Sequence, residues 1–228
     1  MKPSLLTIDI GNTHQSVAAF VGDEIVEKRN LIDLEDWIHF DGPVFVSKVG
    51  PDLPLPFPHI KSVNDFRKEN KILDMKISYA QTLGEDRIAF AYYAFKKILN
   101  EKINSIMTID AGTFTTVDMI TKDGFRGGHI FPGPKTLSEI YDRGKQLTQH
   151  YPDYDHQNEI PQTTEQAISR SLSLMIEKPI QTLIENWSPE LVLITGGASK
   201  LLPLLPNSQF IENGLHKGLK ALYDALVK

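Results

Sequence analysis

The 228-residue sequence contains no cysteine, which removes disulfides, thiolate catalysis and cysteine-ligated zinc or iron–sulfur centres at one stroke. A chain without disulfides also suits a reducing compartment. Long apolar runs are missing too. The opening Met1-Lys2-Pro3-Ser4 leads into a short apolar stretch that meets Asp9, well before a signal h-region or a membrane span could form. A cytoplasmic protein with no membrane partner is expected. Basic charge is not in excess: 24 Lys and Arg stand against 29 Asp and Glu, for a formal charge of −5. No nucleic-acid partner is expected, because that footprint needs clustered cations. No Walker A loop is present, and the histidines fall at no metal-ligand spacing.

What remains is the composition of a soluble globular protein, 41% hydrophobic and 23% charged. Its length fits one large domain or two small lobes.

An internal echo favours two lobes. Leu5-Leu6-Thr7-Ile8-Asp9-Ile10-Gly11-Asn12-Thr13 returns in the second half as Ile106-Met107-Thr108-Ile109-Asp110-Ala111-Gly112-Thr113. Each copy precedes two further strand-like runs, 15–20 and 24–29 after the first, 115–121 and 125–131 after the second. Gly22-Asp23 and Asp123-Gly124 supply hairpin chemistry between them. Both halves thus open with a β-meander and then turn to α/β alternation. In the first half, 34–40 reads as a short helix and 43–49 as a buried strand. A proline-dense loop holds Pro51, Pro54, Pro56 and Pro58, 67–76 reads as solvated surface, and 88–99 as an amphipathic helix. In the second, 135–147 reads as a helix, and Thr163 and Gln166 form a capping box opening another that Pro179 should kink or split. Residues 191–195 read as a buried strand, and Leu215, Leu219, Leu222 and Leu226 stripe a final helix. The expected division is 1–103 and 104–228.

Several short motifs could carry chemistry. In Asp9-Ile10-Gly11-Asn12-Thr13 an apolar strand delivers a carboxylate to its end, and the glycine turn offers amides. Together these can hold phosphate and hydrated magnesium, or they form only a capped hairpin. The repeat at Asp110 suggests two such turns serving one nucleotide–metal complex in an interlobe cleft. Gly196-Gly197 ends a buried strand, where a base or ribose could approach the backbone closely or the chain could simply turn. In Gly84-Glu85-Asp86-Arg87, Asp86 suits a helix N-terminus and Arg87 does not. The cation is then either wanted for a substrate carboxylate or lies on the surface beside a cap. His129, in Gly127-Gly128-His129-Ile130-Phe131-Pro132-Gly133, reads better as structural than as catalytic.

These motifs, in this order, resemble those of type III pantothenate kinases, and the likeness runs from about Leu5 to Ala198. The resemblance implies an actin-like ATPase and sugar-kinase fold of two ribonuclease-H-like α/β lobes. It implies phosphorylation of pantothenate by ATP, the first step of coenzyme A synthesis, in a homodimer that uses Mg2+ and K+ or NH4+. By position, Asp9, Ile10, Gly11, Asn12, Thr13, His14, Gln15 and Ser16 would line the ATP phosphates, with Thr113, Gly196 and Gly197 also at the nucleotide. Asp86 would be the base on the pantothenate hydroxyl, and Tyr79, Gly84, Glu85 and Arg87 would bind that substrate. Thr164 would reach it across the dimer interface. Asp110 would ligate the monovalent cation, and Asp9 the magnesium through phosphate or water. The chain departs from the family pattern at Thr163-Thr164, Arg170-Ser171 and Phe90. Arg170 puts a long cation where the family keeps a small residue near the implied pantothenate pocket, which leaves open an altered-substrate or catalytically silent nucleotide-binding paralogue.

Overall fold

A computed structural model describes residues 2–31, 37–156 and 158–227. The chain divides into two compact units. The first comprises residues 1–103, 120–127 and 213–228, and the second residues 104–119 and 128–212.

The first unit is built on a sheet that begins with β1 (Leu5–Ile10), β2 (Gln15–Val21) and β3 (Glu24–Asn30). It continues with β4 (Val44–Lys48) and β5 (Ile60–Ser62), in the order β3-β2-β1-β4-β5. The meander β1–β2–β3 is antiparallel, whereas β4 and β5 run parallel to β1. Central β1 buries Leu5, Leu6, Ile8 and Ile10, as a strand covered on both faces must, while edge strand β3 alternates exposed with half-buried positions. A small antiparallel sheet follows, of β6 (Arg67–Lys68), β7 (Lys71–Ile72) and β8 (Met75–Lys76). The expectation of solvated surface over 67–76 fails here. The lysines do face water, but Ile72 and Met75 are fully buried and turn the segment into a two-residue-per-strand ribbon.

Helix α1 (Glu85–Glu101) buries more than the single face expected of it. Its second flank is covered by the C-terminal helix, which packs on α1, β1 and β4. The final helix therefore belongs with the first unit and not with the 104–228 lobe expected from the sequence, because its partners are long-range. The Leu34–Asp36 part of the expected 34–40 helix lies outside the described residues.

The second unit's sheet comprises β9 (Ser105–Ala111), β10 (Phe114–Thr121), β11 (Gly124–Pro132), β12 (Leu191–Thr195) and β13 (Ser208–Phe210). Its order is β11-β10-β9-β12-β13, with β12 and β13 parallel to β9. This repeats the strand order of the first sheet, so the echo in sequence is an echo in topology. α2 (Pro134–Glu139) stops early: residues 140–143 tighten into a 3-10 turn that closes at Gly144, where an unbroken helix had been expected to 147. α3 (Thr164–Trp187) runs through Pro179 without being split, packing Ile176 and Ile180 into a core with Met107, Val117 and Val192. Thr163 caps it, its hydroxyl accepting from the Gln166 amide at 3.2 Å. The Gln166 side chain answers one residue further out, on the amide of Gln162. The last helix is α4 (Gly214–Val227). Among the described residues no helix is long and apolar enough to cross a membrane.

Candidate active site

In the first unit, Asp9 is half-buried at the end of β1, in register with Ser16 on β2 and Ser47 on β4. The turn that follows is closed by Gly11 N–H donating to the His14 carbonyl at 3.1 Å, which leaves Asn12, Thr13 and His14 exposed at its tip. Ile10 does not offer itself to a ligand. Its side chain is in the core, and its carbonyl already accepts from the amides of Val49 and Gly50, at 3.0 and 2.8 Å. Gln15 is half-buried, with its carbonyl accepting from Leu31 N–H. Ser16 meets a partner that no sequence signal announced: its hydroxyl lies 2.8 Å from Nε2 of His216 on α4. Nδ1 of the same ring lies 2.8 Å from the Thr7 hydroxyl. Burial, with a smaller contribution from the charge of Lys28, pushes the His216 imidazole down to about 3. It is therefore a neutral bridge.

The acidic turn at the start of α1 is the most constrained part of this unit. Gly84 is an extended N-cap, and a Cβ there would run into Asp86 Oδ1 and press on Val49. Glycine is what lets the Asp86 carboxylate fold back over the first turn, where Oδ1 accepts from Arg87 N–H at 2.7 Å. Burial raises the Asp86 carboxyl above the usual range, against the opposing pull of the Arg87 amide and guanidinium. Arg87 is only 6% exposed. Its guanidinium lies over the Tyr79 ring at 5.1 Å and the Phe125 ring at 5.7 Å, and the two rings meet edge to face at 5.9 Å. Tyr79 was expected here; Phe125, on the tip of the β10–β11 hairpin, was not, because its position depends on that tip bridging Ile77. Glu85 departs from its expected role. It is buried, and its carboxylate oxygens accept from the backbone amides of Lys48 at 2.8 Å and Asn64 at 3.3 Å. Desolvation raises its carboxyl as well. It faces the protein, not a substrate.

In the second unit, Asp110 occupies on β9 the half-buried position that Asp9 occupies on β1. β12 brings Thr195 into register with it. Gly196 has φ +99°, and a Cβ there would lie 2.5 Å from Asp110 Oδ1 and collide with the Ala111 carbonyl, so this glycine is obligatory. Gly197 is the opposite case, with no atom within 4 Å of where its Cβ would stand. That is open space of the kind a flat group needs. Thr113 is held by its carbonyl, which accepts from Gly133 N–H at 2.9 Å and the Thr136 hydroxyl at 2.7 Å. Gly128 lies so close to Asp118 that any side chain would overlap that buried carboxylate, a residue sequence reasoning passed over. His129 is stacked between Phe131 and Trp187, at 5.8 and 5.6 Å. Thr164, the first residue of α3, is exposed. Arg170 is buried and committed internally. It donates to the Glu159 carbonyl at 2.9 Å, pairs with the Glu159 carboxylate at 3.1 Å and faces Asp153 at 3.9 Å. These contacts make Arg170 an anchor for the segment ahead of α3.

A family model described as type III pantothenate kinase matches residues 61–186, more than half of the chain. The chain belongs to the type III pantothenate kinase family. It is 27% identical over 154 residues to a type III pantothenate kinase of Aquifex aeolicus. That match spans 65% of each chain, just under two thirds of the relative's length. Another type III pantothenate kinase, from Azobacteroides pseudotrichonymphae, is 26% identical over 97% of this chain and 96% of its own. Among solved structures, a Campylobacter jejuni protein described as a Baf family transcriptional activator superposes with a TM-score of 0.67 at 22% identity. It covers 97% of this chain and 98% of its own, which fixes the fold. Within the family match fall the Gly84–Arg87 turn, Asp110 and the start of α3.

Proposed function

We propose that this protein phosphorylates the primary hydroxyl of pantothenate with ATP, giving 4'-phosphopantothenate at the entry to coenzyme A synthesis. The observation that carries this reading is the half-buried Asp86 carboxylate, its pKa raised by desolvation, beside an Arg87 guanidinium held over two rings. A general base acts best when its pKa lies near the working pH, and burial moves Asp86 in that direction. In the proposed step Asp86 takes the hydroxyl proton as that oxygen attacks the γ-phosphorus, and ADP leaves with the electron pair of the broken P–O bond. Arg87, with Tyr79 beside it, receives the pantothenate carboxylate. In the first unit the exposed turn at Asn12, Thr13 and His14 offers polar groups to phosphate; in the second, the open space at Gly197 would admit a flat group.

The residues fit hard cations. Asp9 and Asp110 present oxygen at strand ends, and at Asp110 a glycine keeps clear the space a Cβ would fill. Among the described residues no group of three or more acidic or imidazole side chains could cage a metal alone. Phosphate and water would complete the shells, as Mg2+ prefers. Asp9 would hold magnesium through them, and Asp110 a K+ or NH4+ ion; the bound cations would neutralise triphosphate charge. A cytoplasmic homodimer in which Thr164 serves the neighbouring copy completes the reading.

A coupled assay of ATP consumption, with and without pantothenate and in sodium or potassium, is the test. Pantothenate-dependent turnover stimulated by potassium is expected, and Asp86→Asn should lower kcat by roughly 10²–10⁴ while ATP still binds. ATP consumption indifferent to pantothenate, or an Asp86→Asn protein of normal kcat, would sink the assignment.

A further inference from the structure

Two side chains outside the proposed chemistry fix the Gly84–Arg87 turn, one from the segment that enters it and one from within it, and their hydrogen bonds go to backbone partners. Arg67 follows the 3-10 turn Asn64–Phe66. Its guanidinium donates to three converging carbonyls, those of Ala80 at 2.9 Å, Gln81 at 3.0 Å and Leu83 at 2.9 Å. These are the residues that lead directly into Gly84. Within the turn, Glu85 accepts from Lys48 and Asn64. Asn64 and Arg67 are one turn apart, so a single short segment both donates an amide to Glu85 and clamps the approach to it. That segment is itself fixed to the sheet. Val63 is fully buried and its amide donates to Val46 of β4 at 3.1 Å, while the Phe66 ring packs on Phe45 at 6.0 Å.

A cation held by carbonyls through its terminal nitrogens and an anion held by amides make charge-assisted bonds, stronger than neutral ones. Burying a carboxylate without a cation partner is unfavourable, and a helix start needs no such device when Gly84 and Asp86 already serve it. What the arrangement secures is the backbone from Ala80 through Glu85, which leads directly into Asp86.

We infer that Arg67 and Glu85 are positioning residues which hold Asp86 in place for proton abstraction from the acceptor hydroxyl. This rests on the reading of Asp86 as the base. A displacement of about 1 Å at a reacting group can cost about a hundredfold in rate, so loosening either grip should be read in kcat.

The experiment is a double-mutant cycle on the full chain. Arg67→Lys, Arg67→Met and Glu85→Gln are each made alone and together with Asp86→Asn, with kcat and both KM values measured and folding checked by thermal unfolding. In the otherwise intact enzyme each single substitution should lower kcat about tenfold or more with KM for ATP held within about twofold. In the Asp86→Asn background the same substitution should change the residual rate by less than about twofold, since coupled sites are non-additive. Arg67→Lys, which can serve fewer of the three carbonyls, should lose less than Arg67→Met. If Arg67→Met does not fold, Arg67→Lys and Glu85→Gln decide. Equal losses in both backgrounds, or a lowered melting temperature with normal kcat, would overturn the inference while leaving Asp86 as the base. A normal kcat for Asp86→Asn itself would remove both.

Discussion

His216 joins three parts of the first unit through one ring, with Thr7 of β1 on one nitrogen and Ser16 of β2 on the other. Both hydroxyls can donate or accept, so a neutral ring is satisfied in either tautomer, whereas an imidazolium would require acceptors on both sides. Folding therefore lowers the pKa of this histidine from 6.5 to about 3. The sign follows directly. Between these values the unfolded chain holds a proton that the folded chain does not, so stability is complete above pH 6.5 and declines as the pH falls towards 3. Urea midpoints compared at pH 7.5 and 5.5 should drop for the wild type and drop less for His216→Gln. The comparison matters because Glu85 and Asp86, whose carboxyls are raised, act in the opposite direction and cancel between the two proteins. An equal decline in both would place the sensitivity elsewhere. No sequence signal pointed to this ring, since its partners lie some 200 residues away in the chain.

Among the elements, α1 and α4 approach unusually closely. Gly218 lies against Ala89, where a Cβ would overlap the Ala89 carbonyl. On helix propensity alone, Gly218→Ala should stabilise by about 1 kcal/mol. Overpacking against a backbone that cannot yield costs about 1–3 kcal/mol, so the substitution should lower the melting temperature. A rise would mean that the helices can separate freely. The same pair illustrates what was legible. The apolar periodicity of both helices could be read from the chain, and so could the strands ending in Asp9 and Asp110, because those strands are covered on both sides and carry continuous apolar runs. The ribbon around Ile72 and Met75 could not, since lysines outnumber its two inward residues. Edge strands Ile60–Ser62 and Ser208–Phe210 were missed for a related reason: a neighbour's hydrogen bonds, not their own three residues, make them strands. At the acidic turn the sequence drew attention to Gly84–Arg87 as a group but not to the different surroundings of its members. Asp86 and Arg87 face the chemistry proposed here, and Glu85 turns inward because amides of distant residues await it.

Over the whole molecule, one strand order occurs twice, and only the first sheet receives the C-terminal helix. Leu219 and Leu222 of α4 are fully buried. Burying such a side chain is worth roughly 1.5–3 kcal/mol, so α4 makes a large contribution to a unit whose other residues are mostly from the N-terminal half. A chain ending at Glu212 should therefore lose slow amide exchange in β1 and α1 while β9 and β12 keep theirs. Uniform loss across both sheets would show that the two units unfold as one. The return of α4 could not be read from the sequence, because nothing in a leucine stripe states which surface it will cover.

That return has a consequence for how the protein is made. A ribosome releases the chain from its N-terminus, and domains ordinarily fold as they emerge. Here the half synthesised first must wait with β1, β4 and α1 uncovered until residues 213–227 leave the exit tunnel, while the residues of the second unit are all available earlier. The nascent chain thus leaves the apolar surface of β1, β4 and α1 exposed while the whole second unit is made, and α4 is the helix that closes it.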